Sequence, residues 1–138
     1  MITFVRTSLL VAVLLFSSGC GGLVPVQGEV TLDGQPVPSA KVLFVPAAGG
    51  RPAEGTTDAM GKFRLTTNSP QDGAAAGEYV VTVTARAIEY EARAGAEQGF
   101  VEKAIWHTPE KYSQPSQSGL KATVDPKQPQ VKIELKSQ

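Results

Sequence analysis

The sequence predicts an all-β domain. Short apolar stretches alternate with polar residues at period two, and Gly, Pro, Asn and Asp punctuate them at short intervals. No internal repeat, heptad pattern or convincing amphipathic helix interrupts this rhythm. Together these signs describe a β-sandwich or barrel of about seven strands.

The elements can be placed in order. Over 26–32, Val26, Gly28, Val30 and Leu32 alternate with Gln27, Glu29 and Thr31. Asp33-Gly34 then marks a turn, because both residues tolerate positive φ. Residues 41–45 form a mostly apolar strand, closed by Pro46 and the flexible run Ala47-Ala48-Gly49-Gly50. An edge strand over 53–57 precedes the turn Asp58-Ala59-Met60-Gly61. Phe63 and Leu65 then point inward while Lys62, Arg64 and Thr66 point out. After a loop over 68–77 comes the longest strand, in which Tyr79, Val81, Val83 and Ala85 oppose Thr82, Thr84 and Arg86. Leu120-Ala122-Val124 and Val131-Ile133-Leu135 supply the last two strands.

Residues 89–119 break the pattern, and the stretch is too long for an ordinary loop. It reads as one long irregular insertion before the last two strands, with the Ala- and Glu-rich 92–104 offering a short helix. Trp106, His107 and Tyr112 gather just after it. Binding groups favour loops on a rigid scaffold, and aromatics anchor interfaces, so these three are the candidate partner-binding residues. The competing reading has Trp106 and Tyr112 sealing the end of the sandwich.

Composition bounds the function. The 138 residues suffice for one domain, and Lys+Arg and Asp+Glu both total 13, so there is no basic surplus for neutralising nucleic-acid phosphates. The single cysteine, Cys20, excludes a disulfide within the chain. Residues 1–19 read as an export signal. Arg6 charges the n-region, and the unbroken apolar run from Leu9 to Phe16 is far shorter than the ~20 residues of a membrane-spanning helix. Ser17-Ser18-Gly19 then present small residues to a peptidase. A plain secretory signal cut near Gly19 or Gly22 is one reading.

The other reading rests on Cys20, which follows at once: the segment resembles a bacterial lipoprotein signal. The resemblance implies diacylation of the Cys20 thiol and cleavage just before it, leaving 20–25 as a lipidated tether and 26–138 as the domain. Lipoboxes usually carry Leu where this chain has Ser17. Two or three acyl chains hold a protein on a membrane lastingly, whereas one holds it only marginally. The expected location is the cell envelope, exported and membrane-anchored, on the periplasmic face or cell surface.

Three runs carry a second resemblance. They are Val26-Gln27-Gly28-Glu29-Val30 continuing to Gly34-Gln35-Pro36-Val37 and Ala40-Lys41-Val42, then Thr57-Asp58-Ala59-Met60-Gly61-Lys62-Phe63, then Gly77-Glu78-Tyr79-Val80-Val81-Thr82-Val83. In this order they resemble the carboxypeptidase regulatory-like domain, which implies a Greek-key sandwich of the transthyretin (prealbumin) type. The tail from Pro109 to Val124 is similar to the ending of short envelope lipoproteins built on that domain. The physics of the motif is structural: Asp58 can accept hydrogen bonds from the turn amides after it, and Tyr79 can bury its ring while satisfying its hydroxyl at the sheet edge.

Catalytic chemistry finds little to work with. His107 is the only histidine, and zinc usually takes three or four Cys, His or carboxylate ligands. Asp58-Ala59-Met60-Gly61 lacks the alternating ligands of a calcium loop. Glu89 and Glu91 would share a strand face, but beside Arg86 and Arg93 they read as solvated charge rather than a glycosidase pair. There is no Gly-X-Ser-X-Gly elbow and no phosphate-cradling glycine loop. The enzyme of this fold, the transthyretin-like hydroxyisourate hydrolase, uses several histidines and a Tyr-Arg-Gly-Ser terminus, which this chain lacks. The expectation is a non-catalytic envelope module without cofactor or metal, structural or protein-interacting, whose partners are envelope proteins or glycans and not nucleic acid. The alternative is a carbohydrate- or small-ligand-binding module using 89–119.

Overall fold

The structure is a computed structural model that describes residues 22–138. The signal segment 1–19 and Cys20 lie outside the described residues. The domain is all-β, with ten strands: β1 Gln27–Leu32, β2 Gln35–Pro36, β3 Lys41–Pro46, β4 Ala53–Thr56, β5 Lys62–Arg64, β6 Gly77–Thr84, β7 Arg86–Ala92, β8 Phe100–Trp106, β9 Leu120–Val124 and β10 Gln130–Leu135.

Two four-stranded sheets share one core. In the first, β1 is central, with β10 on one side and both β2 and β5 on the other. The second runs β4-β3-β6-β9 and is antiparallel throughout. Val30, Phe63, Ile133 and Leu135 from the first sheet, with Val26 just ahead of β1, meet Val42, Phe44, Tyr79, Val81, Val83 and Val124 from the second in a single buried cluster. The period-two alternation puts them there, since side chains two apart share a strand face. Full burial of each such side chain contributes roughly 1.5–3 kcal/mol. Phe44 sits at the centre, its ring tilted against Phe63 at 6.2 Å and Tyr79 at 5.6 Å.

The turns follow the sequence reading. Asp58 Oδ1 accepts from the amides of Met60 (2.8 Å) and Lys62 (3.0 Å), closing the turn before β5. Gly61 has φ 76°, and a Cβ there would also meet the Val30 carbonyl oxygen at 2.6 Å. Only glycine satisfies both constraints without strain. Tyr79 buries its ring and donates its hydroxyl to the Ala75 carbonyl at 2.7 Å; burial is also what raises its pKa above the usual tyrosine value.

Four expectations are corrected. Among the described residues there are ten strands, not seven, because the two-residue β2 and the pair β7–β8 are not legible as such in the sequence. Residues 89–119 are not one irregular insertion: β7 pairs with β8 in an antiparallel ladder from Arg86↔Trp106 to Ala92↔Phe100. No helix forms over 92–104. Ala92, Glu102 and Ala104 sit on the ladder, Ala94, Ala96 and Glu97 lie in the loop between the strands, and the Arg93 amide closes that loop on the Gly99 carbonyl at 3.0 Å. A 3₁₀ turn, Glu110–Ser113, then packs against β6. Thr82, expected to point outward, is buried.

The ends of the sandwich differ. Val24 bridges Ala74 at the end where β1 and β6 begin. β6 then carries the chain about 25 Å along the sheet, so the β7–β8 hairpin emerges from the opposite end.

Candidate functional site

The three residues singled out at 106–112 have separate surroundings. Trp106 ends β8, half-buried, and its cross-strand partner Arg86 places its guanidinium 5.6 Å from the ring centroid. His107 donates its amide to the Ala85 carbonyl at 2.8 Å, while its side chain is exposed. It borders a hollow of about 380 Å³ lined by Leu32, Pro36, Val37 and Pro38. Thr108, buried beside it, accepts the Ala85 amide on Oγ1 at 3.3 Å.

Tyr112 belongs to the core cluster. Its hydroxyl donates to the Lys136 carbonyl at 3.2 Å and accepts from the Lys136 amide at 3.1 Å, fastening the end of β10. The Lys111 ammonium stands 5.0 Å from its ring centroid. The structure therefore does not bring Trp106, His107 and Tyr112 into one site.

The feature that sequence reasoning missed is the hairpin itself. β7 and β8, seven residues each, hydrogen-bond to no other strand, which leaves a two-stranded ribbon about 24 Å long. Cross-strand pairs share a face, so Arg86, Ile88, Tyr90 and Ala92 lie with Trp106, Ala104, Glu102 and Phe100 on one side. Ile88 is 51% exposed, Tyr90 66% and Phe100 59%. The signal was present as the alternation Ile88-Glu89-Tyr90-Glu91, one residue out of phase with the Tyr79-Val81-Val83-Ala85 alternation before it.

The opposite face is mixed, with Glu89, Glu91 and Lys103 beside the half-buried Ala87, Val101 and Ile105. Glu91 pairs with Lys103 across the strands at 2.7 Å, and this bond raises the Lys103 pKa above the usual lysine value. Both groups are exposed, so solvent screens the pair and it contributes little to stability. Glu89 and Glu91 are solvated, as expected, although the cation that binds Glu91 is Lys103.

On the aromatic face, Tyr90, Gln98, Phe100 and Glu102 line a hollow of about 390 Å³. The Tyr90 hydroxyl lies 3.4 Å from a Glu102 oxygen. Elsewhere, an open groove of about 720 Å³ crosses β4 and β5, and it holds one internal ion pair. Lys41 pairs with Glu54 at 3.0 Å, and Arg64 donates to Gln71 at 3.2 Å. Among the described residues no three His, Cys, Asp or Glu side chains converge as a metal site, and no helix is long and apolar enough to cross a membrane. No protein-family model, curated protein or solved structure matches the chain.

Proposed function

We propose that the chain is a non-catalytic, lipid-anchored module of the bacterial cell envelope that engages a partner protein through the β7–β8 hairpin. One observation carries this reading. A ribbon bearing exposed Ile88, Tyr90 and Phe100 stands off the end of the sandwich opposite residue 22. An isolated two-stranded hairpin is at best marginally stable in water, and exposed apolar residues grouped on one face mark interaction sites. A chain held at Cys20 would present this arm away from the membrane surface.

The sandwich itself is proposed to be Greek-key and transthyretin-like, of the carboxypeptidase regulatory-like type. The structural roles of Asp58, Gly61 and Tyr79 support this, because each does what the motif requires. Lipidation at Cys20 rests on the sequence alone.

The test has two parts. Mass spectrometry of membrane-extracted protein should find an acylated N-terminal Cys20; an unmodified start at another residue would remove the anchor. A photo-crosslinking residue at Tyr90 should capture an envelope protein, whereas one at Lys132 on the body should not. Equal or absent capture would remove the arm. The second reading, a carbohydrate- or small-ligand-binding module using 89–119, is favoured by the hollow between Tyr90 and Phe100.

A further inference from the structure

The aromatic rings near charges on this molecule differ in one respect. Trp106 has the Arg86 guanidinium 5.6 Å from its centroid, and Tyr112 has the Lys111 ammonium at 5.0 Å. Each has its cation supplied from within the chain. Tyr90 and Phe100 are more exposed than either, and together with Glu102 and Gln98 they line one hollow. Among the described residues no cation pairs with Glu102: the ion pairs are Lys41–Glu54 and Lys103–Glu91, and the latter lies on the other face of the ribbon.

Two exposed aromatic rings beside a carboxylate form the arrangement that attracts an organic cation, through the ring quadrupole and the opposite charge together. The backbone beside the hollow is also available. β8 pairs only with β7, so its outer edge past Phe100, Glu102 and Ala104 offers free amides and carbonyls to an added strand. The residue of such a strand paired directly with Glu102 would lie on the same face as Glu102.

We propose that the hollow between Tyr90 and Phe100 is a binding site for a lysine or arginine side chain on an extended segment of a partner protein, with Glu102 as its counter-ion and the outer edge of β8 as its backbone template. This rests on reading the hairpin as a contact arm and names the chemistry of what the arm grips. A neutral saccharide would use the rings but not the charge. A free quaternary ammonium would use rings and charge but not the strand edge.

Nuclear magnetic resonance of the full chain in detergent micelles separates these cases. The probes are a capped pentapeptide with one central lysine between valines and threonines, the same peptide with central glutamine, tetramethylammonium, and N-acetylglucosamine. The lysine peptide should shift the signals of Tyr90, Phe100 and Glu102 and bind about tenfold more tightly than the glutamine peptide and tetramethylammonium. Glu102→Gln should abolish the preference for lysine while leaving the remaining spectrum folded. Equal binding of the two peptides, no shift with either, or N-acetylglucosamine shifting the same signals would overturn the proposal. If the titration fails while Tyr90 still crosslinks an envelope protein, the cation site falls and the contact arm stands.

Discussion

Phe63 lies across Gly28, its ring filling the space that a β-carbon at position 28 would take. The two are cross-strand partners on the core face, and Gly55 on β4 gives way on the other side of the ring, where its Cβ would stand 3.3 Å from Phe63. The two glycines and the aromatic ring are thus one packing unit. Phe63→Ala should cost about 3–5 kcal/mol. Gly28→Ala should cost about 1–3 kcal/mol by overpacking, with no side chain lost. Denaturant unfolding checks both; a loss under 1 kcal/mol for Phe63→Ala would mean the ring is not buried.

Thr57 joins the two sheets at the end from which the hairpin emerges. Its buried hydroxyl donates to the Val37 carbonyl at 2.6 Å and accepts from the Ala40 amide at 2.8 Å. Thr57→Val keeps the shape and strands both backbone groups, for an expected loss of about 1–3 kcal/mol. Thr57→Ser should recover most of that loss in the same unfolding measurement.

Trp106 and Tyr112 should separate cleanly in thermal melts. Tyr112→Ala removes a core ring and should cost about 3–5 kcal/mol. Tyr112→Phe loses only the two bonds to Lys136 and should cost about 1 kcal/mol. Trp106→Ala, at a half-buried ribbon end, should destabilise markedly less than Tyr112→Ala. Comparable losses from both alanine variants would place Trp106 in the core.

Asp72 organises the loop before β6. Its carboxylate accepts from the amides of Thr67 (2.7 Å), Asn68 (2.9 Å) and Ser69 (2.8 Å). The Thr67 bond leads in lowering its pKa below the ordinary 3.8. A depressed folded-state pKa means that the contribution of Asp72 is complete above the unfolded value and fades as pH falls through the folded one. Wild type should therefore lose stability on acidification through that range, and Asp72→Asn should lose less over the same interval. Carboxyl chemical shifts followed from pH 6 to 2 check the titration directly.

The strands whose apolar residues alternate cleanly, such as Val42 and Phe44 or Val81 and Val83, were legible because one face meets a core and the other meets water. The hairpin was less legible, since neither of its faces is fully buried. The alternation Ile88-Glu89-Tyr90-Glu91 marks no core-facing side, and its partner strand from Phe100 follows an Ala- and Glu-rich run that reads as helix. Alanine and glutamate over 92–104 have high helix propensity, but cross-strand pairing overrides it. Tyr112 was singled out for its aromatic character, yet its role depends on Lys136, far along the chain, and no local pattern encodes that contact. Asp58 and Gly61 were read correctly because turn chemistry is local.

The parallel pairing of β1 with β10 sets how the domain bears load. Six registered pairs, Gln27↔Gln130 to Leu32↔Leu135, align the first full strand with the last, so the two chain ends leave from opposite ends of one ladder. Tension applied between residue 22 and the C-terminus runs along those strands and shears all the rungs at once. Across β7–β8 the same tension would open the ladder rung by rung, as a zipper opens. Single-molecule extension from the termini should show one high rupture force, well above that for separating the two strands of the ribbon at Arg86 and Trp106. A body held at its N-terminus and tugged at its tail is then mechanically stiff, while its projecting arm yields first.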